Sequence, residues 1–274
     1  DFNGLKGYSA KQIAANLKQH HWEVSVLNIE VPQLSGDFNV TRLAELFETP
    51  LFVETLGQAI VSGSHKPAAL GLPAVCGINP ELSIVKQLET LTGMDCFEIP
   101  GLPPSIPGLR LKNAFEKHLA RTDVRVFSNS TVAFQKFENG HVLLELVSEK
   151  NSTPVRARGV ILATGRFQGG GLKALRGLIQ EPLFQVPVYQ PAQRSLWYNI
   201  DLFAPTGHPI NQAGLLSDSC FRPVDETEAP IFDTLYAAGS LLSHNDWVRL
   251  KSGAGVSCVS AVCAVNHFCK KTGR

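Results

Sequence analysis

The sequence predicts an α/β protein with parallel strand pairing, joined to a small antiparallel meander. Three observations carry that prediction. Short apolar runs alternate with amphipathic helical stretches through the first hundred residues, the pattern of parallel strands linked by crossover helices. Asn139-Gly140 stands between two alternating segments, and two unbroken apolar runs, Val160 to Ala163 and Leu235 to Ala238, each lead into a glycine.

Composition bounds the rest. The 274 residues are 44 % hydrophobic with 23 glycines and 17 prolines, enough for one large domain or two ordinary ones. A net charge of +1 lacks the basic excess that neutralises a phosphate backbone, so nucleic acid is excluded as a partner class. No apolar run approaches the roughly 20 residues that span a bilayer, and no signal-peptide pattern opens the chain, so a soluble cytoplasmic protein is expected. Six cysteines, at 76, 96, 220, 258, 263 and 269, include no C-x-x-C pair. They read as buried thiols in a reducing compartment, with no metal site. The chain starts at Asp1 and its sole methionine is Met94, so a piece of a longer protein is expected.

Ser9 and Gln12 form a capping box before Ala10, Ile13, Ala14 and Leu17, which predicts a helix. His21 to Val31 alternates through Trp22, Val24 and Val26 and reads as a strand. A helical region follows from Thr41 to Val61, broken at Pro50, and Ala68 to Cys76 reads as a short strand. Asn79, Pro80 and Glu81 supply an N-cap, a preorganised first position and a dipole-matched acid, predicting a helix that buries Val85, Leu88 and Leu91. Cys96 to Ile99 is the next strand. The prolines at 100, 103, 104 and 107 predict a rigid connector and a boundary between domains 1–104 and 105–274.

Beyond it, Leu111, Ala114, Phe115, His118 and Leu119 predict a helix face, with His118 structural, and Val124 to Phe127 a strand. Thr131 to Phe137 and Val142 to Val147 flank Glu138-Asn139-Gly140-His141, a hairpin signal because both central residues tolerate φ > 0. Val155 to Arg158 completes the meander. Val160 to Ala163 then suits a strand buried on both faces of a parallel sheet.

That strand ends in Ala163-Thr164-Gly165, at the carboxyl edge where open α/β sheets bind ligands. The same letters also suit a tight turn that binds nothing. Gly169, Gly170 and Gly171 lack the Gly-Lys-Ser/Thr of a P-loop and the G-x-G-x-x-G order. They suit close approach to a flat ligand, a hinge, or a flexible exit from the domain. Downstream, Leu235 to Ala238 is a second buried strand ending in Gly239. Ser252-Gly253-Ala254-Gly255 opens a helix with a small apolar interior, which predicts its burial. Its uncovered N–H groups and positive dipole end suit an anionic or electron-rich ligand.

These strand ends and this helix resemble the two-dinucleotide-binding-domain flavoproteins. More narrowly, Pro100 to Arg110, Gly165 to Leu172, Glu181-Pro182, Asp201 to Pro205 and Phe221-Arg222-Pro223 resemble, in order, the family of B subunits of anaerobic glycerol-3-phosphate dehydrogenase. The resemblance implies the C-terminal part of a Rossmann-like flavin-binding domain with an antiparallel meander, an inserted parallel α/β domain over 1–104, and a capping or substrate-side segment over 173–234. It further implies FAD or FMN as cofactor and glycerol 3-phosphate as the small-molecule substrate, oxidised to dihydroxyacetone phosphate with electrons passed to quinone. The implied partners are a catalytic flavoprotein subunit and a membrane-associated iron–sulfur subunit at the inner face of the membrane. One departure is plain: the strand and G-x-G-x-x-G turn with which the family begins are missing here, so this chain alone is expected to bind flavin weakly and to be inactive.

On this resemblance, Gly253, Ala254, Gly255, Val256 and Ser257 lie near the flavin ring, Gly239 and Ser240 near its ribityl or phosphate side, and Ala163, Thr164 and Gly165 near the nucleotide. Packing turns remain the plain alternative. His208, Arg222 and Arg249 are candidate catalytic residues, with His244 and Asp246 beside them. The arginines suit a phosphate or carboxylate and a histidine suits proton transfer. Each equally suits a structural role.

Overall fold

The computed structural model describes residues 1–34, 36–63 and 67–273. The chain divides into two compact units, Asp1–Val126 and Phe127–Arg274.

In the first unit, helix α1 (Ala10–Gln19) starts where Ser9 Oγ accepts the Gln12 N–H. Asn39 caps α2 (Val40–Phe47) through the N–H groups of Thr41 and Arg42, and Pro50 opens α3 (Pro50–Val61) rather than merely breaking a longer helix. Strand β1 (Ala69–Pro73), helix α4 (Ile84–Thr92) and strand β2 (Asp95–Ile99) make one βαβ unit with β1 parallel to β2. Leu43, Phe47, Val53, Leu56, Val75, Ile84 and Leu88 are among its buried core.

Five expectations differ here. His21 to Val31 forms no strand: its alternation is visible in burial, but Ile29 alone bridges to Phe2, so there is no ladder to pair with. Helix α4 starts at Ile84, because Asn79 Oδ1 accepts the Glu81 N–H in a turn of its own, and it buries Ile84, Leu88 and Thr92 instead of Leu91. Helix α5 (Ile106–Leu119) begins inside the proline segment, capped by Ser105. Ile106 in the core and Arg110 on Glu98 hold it to the first unit, so the division falls after Val126 instead of at 104/105. Its expected apolar face is exposed, with Leu111 and Phe115 each at 60 %. Val124 to Phe127 is likewise exposed and forms no strand.

In the second unit, β3 (Thr131–Glu138), β4 (His141–Val147) and β5 (Ser152–Ala157) form the antiparallel meander. Asn139 and Gly140 take φ of 49° and 72° in the hairpin turn. Strand β6 (Val160–Leu162) pairs in parallel with β9 (Leu235–Ala237), while β7 (Lys173–Ala174) and β8 (Ile179–Gln180) make a minimal hairpin. A one-turn helix α6 (Trp247–Leu250) precedes α7 (Gly253–Thr272), which ends at Gly273 with φ of 69° and Lys270 and Lys271 in its last turn. Helix α7 is less buried than its composition predicts: Ser260 and Ala264 are covered, whereas Val259, Val262 and Val265 are 60 %, 58 % and 44 % exposed.

Candidate functional site

The second unit brings its two glycine-ended strands together. Val160 to Leu162 registers with Leu235 to Ala237, and the Ala238 N–H continues the ladder to the Leu162 carbonyl at 2.9 Å. Both strands therefore end at one edge. Gly165 follows with φ of +69°, and a Cβ there would come 3.8 Å from Ser240 Oγ. Gly239 has φ of +75°, where a side chain is strained, and a Cβ would lie 3.1 Å from Ser257 Oγ. The Gly239 N–H donates to the buried Ser260 Oγ at 2.9 Å, which ties the exit of β9 to α7.

The first turn of α7 faces this edge without a side-chain cap from Ser252. A Cβ on Gly255 would meet nothing, and one on Gly253 would touch only Trp247. Its first N–H groups and positive dipole end are thus left bare of side chains.

The triple glycine has a different role from a flexible exit. Gly171 N–H donates to the Arg166 carbonyl at 3.0 Å and Gly170 N–H to the Phe167 carbonyl at 3.3 Å, closing residues 164–172 into a tight turn. A Cβ on Gly169 would overlap the Thr164 carbonyl, and one on Gly171 the Thr164 hydroxyl and the Gly165 carbonyl. These glycines are required by compactness, and the turn delivers Leu172 to the core.

The polar candidates are spread through the second unit, and Arg222 lies beside Asp233, ahead of the start of β9 and away from its glycine end. His208 accepts the Asn199 N–H at Nδ1, 3.1 Å, and its Nε2 faces the Leu202 carbonyl at 3.0 Å, so both ring nitrogens brace the 199–208 loop. Arg222 pairs with Asp218 at 2.7 Å and Asp233 at 3.4 Å. Burial alone would raise the Asp218 carboxyl, but hydrogen bonds from the Arg222 backbone and guanidinium and the Cys220 N–H hold it below its usual range. Arg249 donates from Nη1 to the Thr206 carbonyl at 3.0 Å, and Asp246 caps α6 through the Arg249 N–H. His244 packs against Tyr189 with ring centroids 4.2 Å apart and the rings tilted by 45°. Tyr189, Tyr198, Pro209 and Gln212 line an open cavity of about 380 Å³.

Arg166 and Asn245 are missing from the sequence-derived candidates. Arg166 is half-buried and donates to the Ala213 carbonyl; burial lowers its guanidinium, with the Asp246 charge opposing. Asn245 is buried with neither side-chain atom hydrogen-bonded among the described residues. Its letters, in Ser243-His244-Asn245-Asp246, read as an ordinary polar loop, and no spacing marks it.

Among the described residues, no three His, Cys, Asp or Glu side chains gather as metal ligands, and no helix is long and apolar enough to cross a membrane. Cys76 and Cys96 are buried, but Cys258 and Cys263 are exposed on α7, contrary to uniformly buried thiols.

Parallel strands ending in glycines beside a bare helix N-terminus give an α/β unit with backbone open to a cofactor. Residues 10–256 match the FAD binding domain family, and the chain belongs to that family. The match specifies FAD where the residues alone left FMN open. Curated relatives are named as the B subunit of anaerobic glycerol-3-phosphate dehydrogenase: one from Vibrio vulnificus (strain CMCP6) is 28 % identical over 97 % of this chain and 63 % of its own. Another, from Aliivibrio fischeri (strain ATCC 700601 / ES114), is 30 % identical over 93 % and 60 %. A relative from Halobacterium salinarum, named as a probable B subunit of the same enzyme, is 29 % identical over 96 % and 64 %. The chain thus spans under two thirds of the length of these relatives. No solved structure matches it significantly.

The residues present fit a flavin. The strand exits and the first turn of α7 offer backbone that side chains do not cover.

Proposed function

We propose that this chain is the FAD-binding part of a subunit of an anaerobic glycerol-3-phosphate dehydrogenase, taking part in the oxidation of glycerol 3-phosphate to dihydroxyacetone phosphate and in electron relay to quinone. The observation that carries the reading is the convergence of Gly165, Gly239 and the bare first turn of α7 at one sheet edge. Bound flavin would supply the two-electron acceptor for the substrate carbinol. Gly253, Ala254 and Gly255 present fixed N–H dipoles that favour the negative charge of a reduced ring, and Val256 and Ser257 would lie beside it in the same turn. Gly239 and Ser240 would line its ribityl or phosphate side, and Ala163, Thr164 and Gly165 its nucleotide side.

Arg249 is the best placed of the three polar candidates to meet an anionic substrate, since Arg222 is committed to two aspartates and His208 to its own loop. The parallel βαβ unit of the first 126 residues reads as the inserted domain, and residues 173–234 as the substrate-side segment. A catalytic flavoprotein and an iron–sulfur subunit at the membrane are the partners this function requires. The test is anaerobic addition of glycerol 3-phosphate to the intact subunit with its partners. Bleaching of the flavin absorbance with quinone reduction is expected, and an unchanged spectrum would overturn the reading.

The exposed Val259, Val262 and Val265 favour a second reading, in which the chain mainly holds partner subunits together. Pull-down of partners by a Gly253→Val and Gly255→Val variant separates the two. Flavin lost with partners retained supports the first reading, and flavin unchanged in that variant supports the second.

A further inference from the structure

The open cavity of about 380 Å³ in the second unit has no part in the flavin reading. Tyr189, Ser195, Leu196, Tyr198, Pro209 and Gln212 are among the residues that line it, and none of its lining residues carries a charge. Arg194, the cation nearest in sequence, is held over the Trp197 ring at 5.4 Å from the centroid. Histidines brace both tyrosines: His244 packs against Tyr189 with centroids 4.2 Å apart, and His208 meets Tyr198 edge-on at 5.5 Å. The hydroxyls of Tyr189, Ser195 and Tyr198 and the side-chain amide of Gln212 make no hydrogen bond among the described residues, and each of these residues is exposed or half-buried. Two aromatic rings and a set of uncommitted neutral donors are therefore within reach of a ligand.

The surroundings restrict what that ligand is. A phosphate or carboxylate would enter without a counter-charge, so glycerol 3-phosphate is disfavoured there. Aromatic faces with hydroxyl and amide donors suit a neutral flat ring that carries carbonyl oxygens. From the cavity wall at Leu196 and Tyr198 the chain runs into Ile200, Leu202 and Phe203, which are 109 %, 73 % and 87 % exposed. So many large apolar side chains in one short loop mark a binding surface, and His208 holds the loop in shape through both ring nitrogens. The ligand is thus a neutral ring with an apolar tail. The cavity also stands close to the glycine-ended edge. Leu242 closes the Gly239 turn by donating to its carbonyl at 3.1 Å, Leu215 pairs with Leu242, and Gly214 pairs with Tyr189 at 2.8 and 3.1 Å. Two such pairings place Tyr189 about 10 Å from that turn.

We infer that this cavity binds the ring of a quinone between Tyr189 and Tyr198, with Gln212 as a donor to a ring carbonyl and the tail lying along Leu196, Ile200, Leu202 and Phe203. The inference rests on the reading above that electrons pass to quinone, and it assigns the binding of that acceptor to this chain. Gln212 holds its own turn through its backbone, whose carbonyl accepts the His244 N–H at 2.9 Å, so replacing its side chain removes a recognition group and no internal hydrogen bond.

The test is equilibrium dialysis of the intact subunit against a decyl-substituted benzoquinone, the same ring without the tail, and decanol as the tail alone. Wild type is expected to bind the decyl quinone saturably, the tailless ring about tenfold or more less tightly, and decanol too weakly to displace either. Gln212→Leu and Tyr198→Ala should each weaken both quinones about tenfold, the worth of a hydrogen bond or a ring contact. The pair Ile200→Ser and Phe203→Ser, at exposed positions, should weaken only the tailed form. No saturable quinone binding, unchanged affinity in both cavity variants, or displacement of the quinone by decanol at equal concentration would overturn the site. Anaerobic glycerol 3-phosphate added to the same subunit with its partners tests the flavin reading separately. Bleaching of the flavin without quinone binding sinks the cavity assignment alone, whereas quinone binding lost in the cavity variants without any bleaching supports the site and sinks the flavin reading.

Discussion

Gly239 and Ser260 are the residues on which the geometry of the glycine-ended sheet edge turns. Gly239 sits at φ of +75° with Ser257 Oγ close by, and its N–H is satisfied by Ser260 Oγ, itself buried. A left-handed conformation costs an L-residue about 1–2 kcal/mol, so Gly239→Ala is expected to lower stability by that amount in denaturant unfolding. Ser260→Ala leaves a buried N–H unpaired and is expected to cost about 1–3 kcal/mol. A cost near zero in both variants would mean that the strand exit is not clamped to α7 as described. Legibility at this scale was uneven. Gly165 and Gly239 could be picked out because each ends an apolar run, whereas Arg166 and Asn245 could not, since neither the reach of Arg166 to the Ala213 carbonyl nor the burial of the Asn245 amide has a signature in the letters around it.

At the scale of elements, the most tightly braced feature is the loop after β1. Arg110 reaches from α5 with its Nη groups on both Glu98 oxygens at 2.8 and 3.0 Å and its Nε on the Gly77 carbonyl at 2.9 Å. Glu98 also accepts the Cys76 N–H at 2.9 Å. Burial alone would raise the Glu98 carboxyl, but these hydrogen bonds and the Arg110 charge outweigh it and hold the group below its ordinary range. Burial beside Glu98 pushes the Cys76 thiol far up, so it stays a neutral thiol. A depressed carboxyl stabilises the fold fully above its unfolded value, about 4.3, and the contribution disappears as pH falls through the lower folded value. Glu98→Gln is therefore expected to lose about 2 kcal/mol at neutral pH and much less in acid, read as the pH dependence of unfolding. An identical loss at pH 3 and pH 7 would contradict the ionised pair. The sequence marked β1, β2, the hairpin, β6 and β9 because period and turn chemistry are local. It misplaced the α4 face and overestimated α7 burial, because which face is covered depends on neighbours that periodicity does not name.

For the whole molecule, family membership rests on the match over residues 10–256, and the fold supplies the reason for it: two parallel strands delivering glycines to one edge beside a bare helix N-terminus. The α/β class was readable from that ordered pair of strand ends, and the flavin from the resemblance of the surrounding motifs to a flavoprotein family. The division after Val126 was not, because prolines suggested a linker where Ser105 and Pro107 start a helix that Ile106 and Arg110 hold to the first unit. Gly255 offers the cleanest probe of the central claim. A Cβ there has open space around it, so Gly255→Val should leave the folded unit intact while covering the face proposed to meet the ring. The most direct measurement is the flavin content of the intact subunit, by absorbance and by chromatography of the released nucleotide, in wild type and Gly255→Val. FAD in wild type and its loss from an equally folded variant is the predicted result. Wild type without flavin, or a variant that retains it in full, would contradict the account.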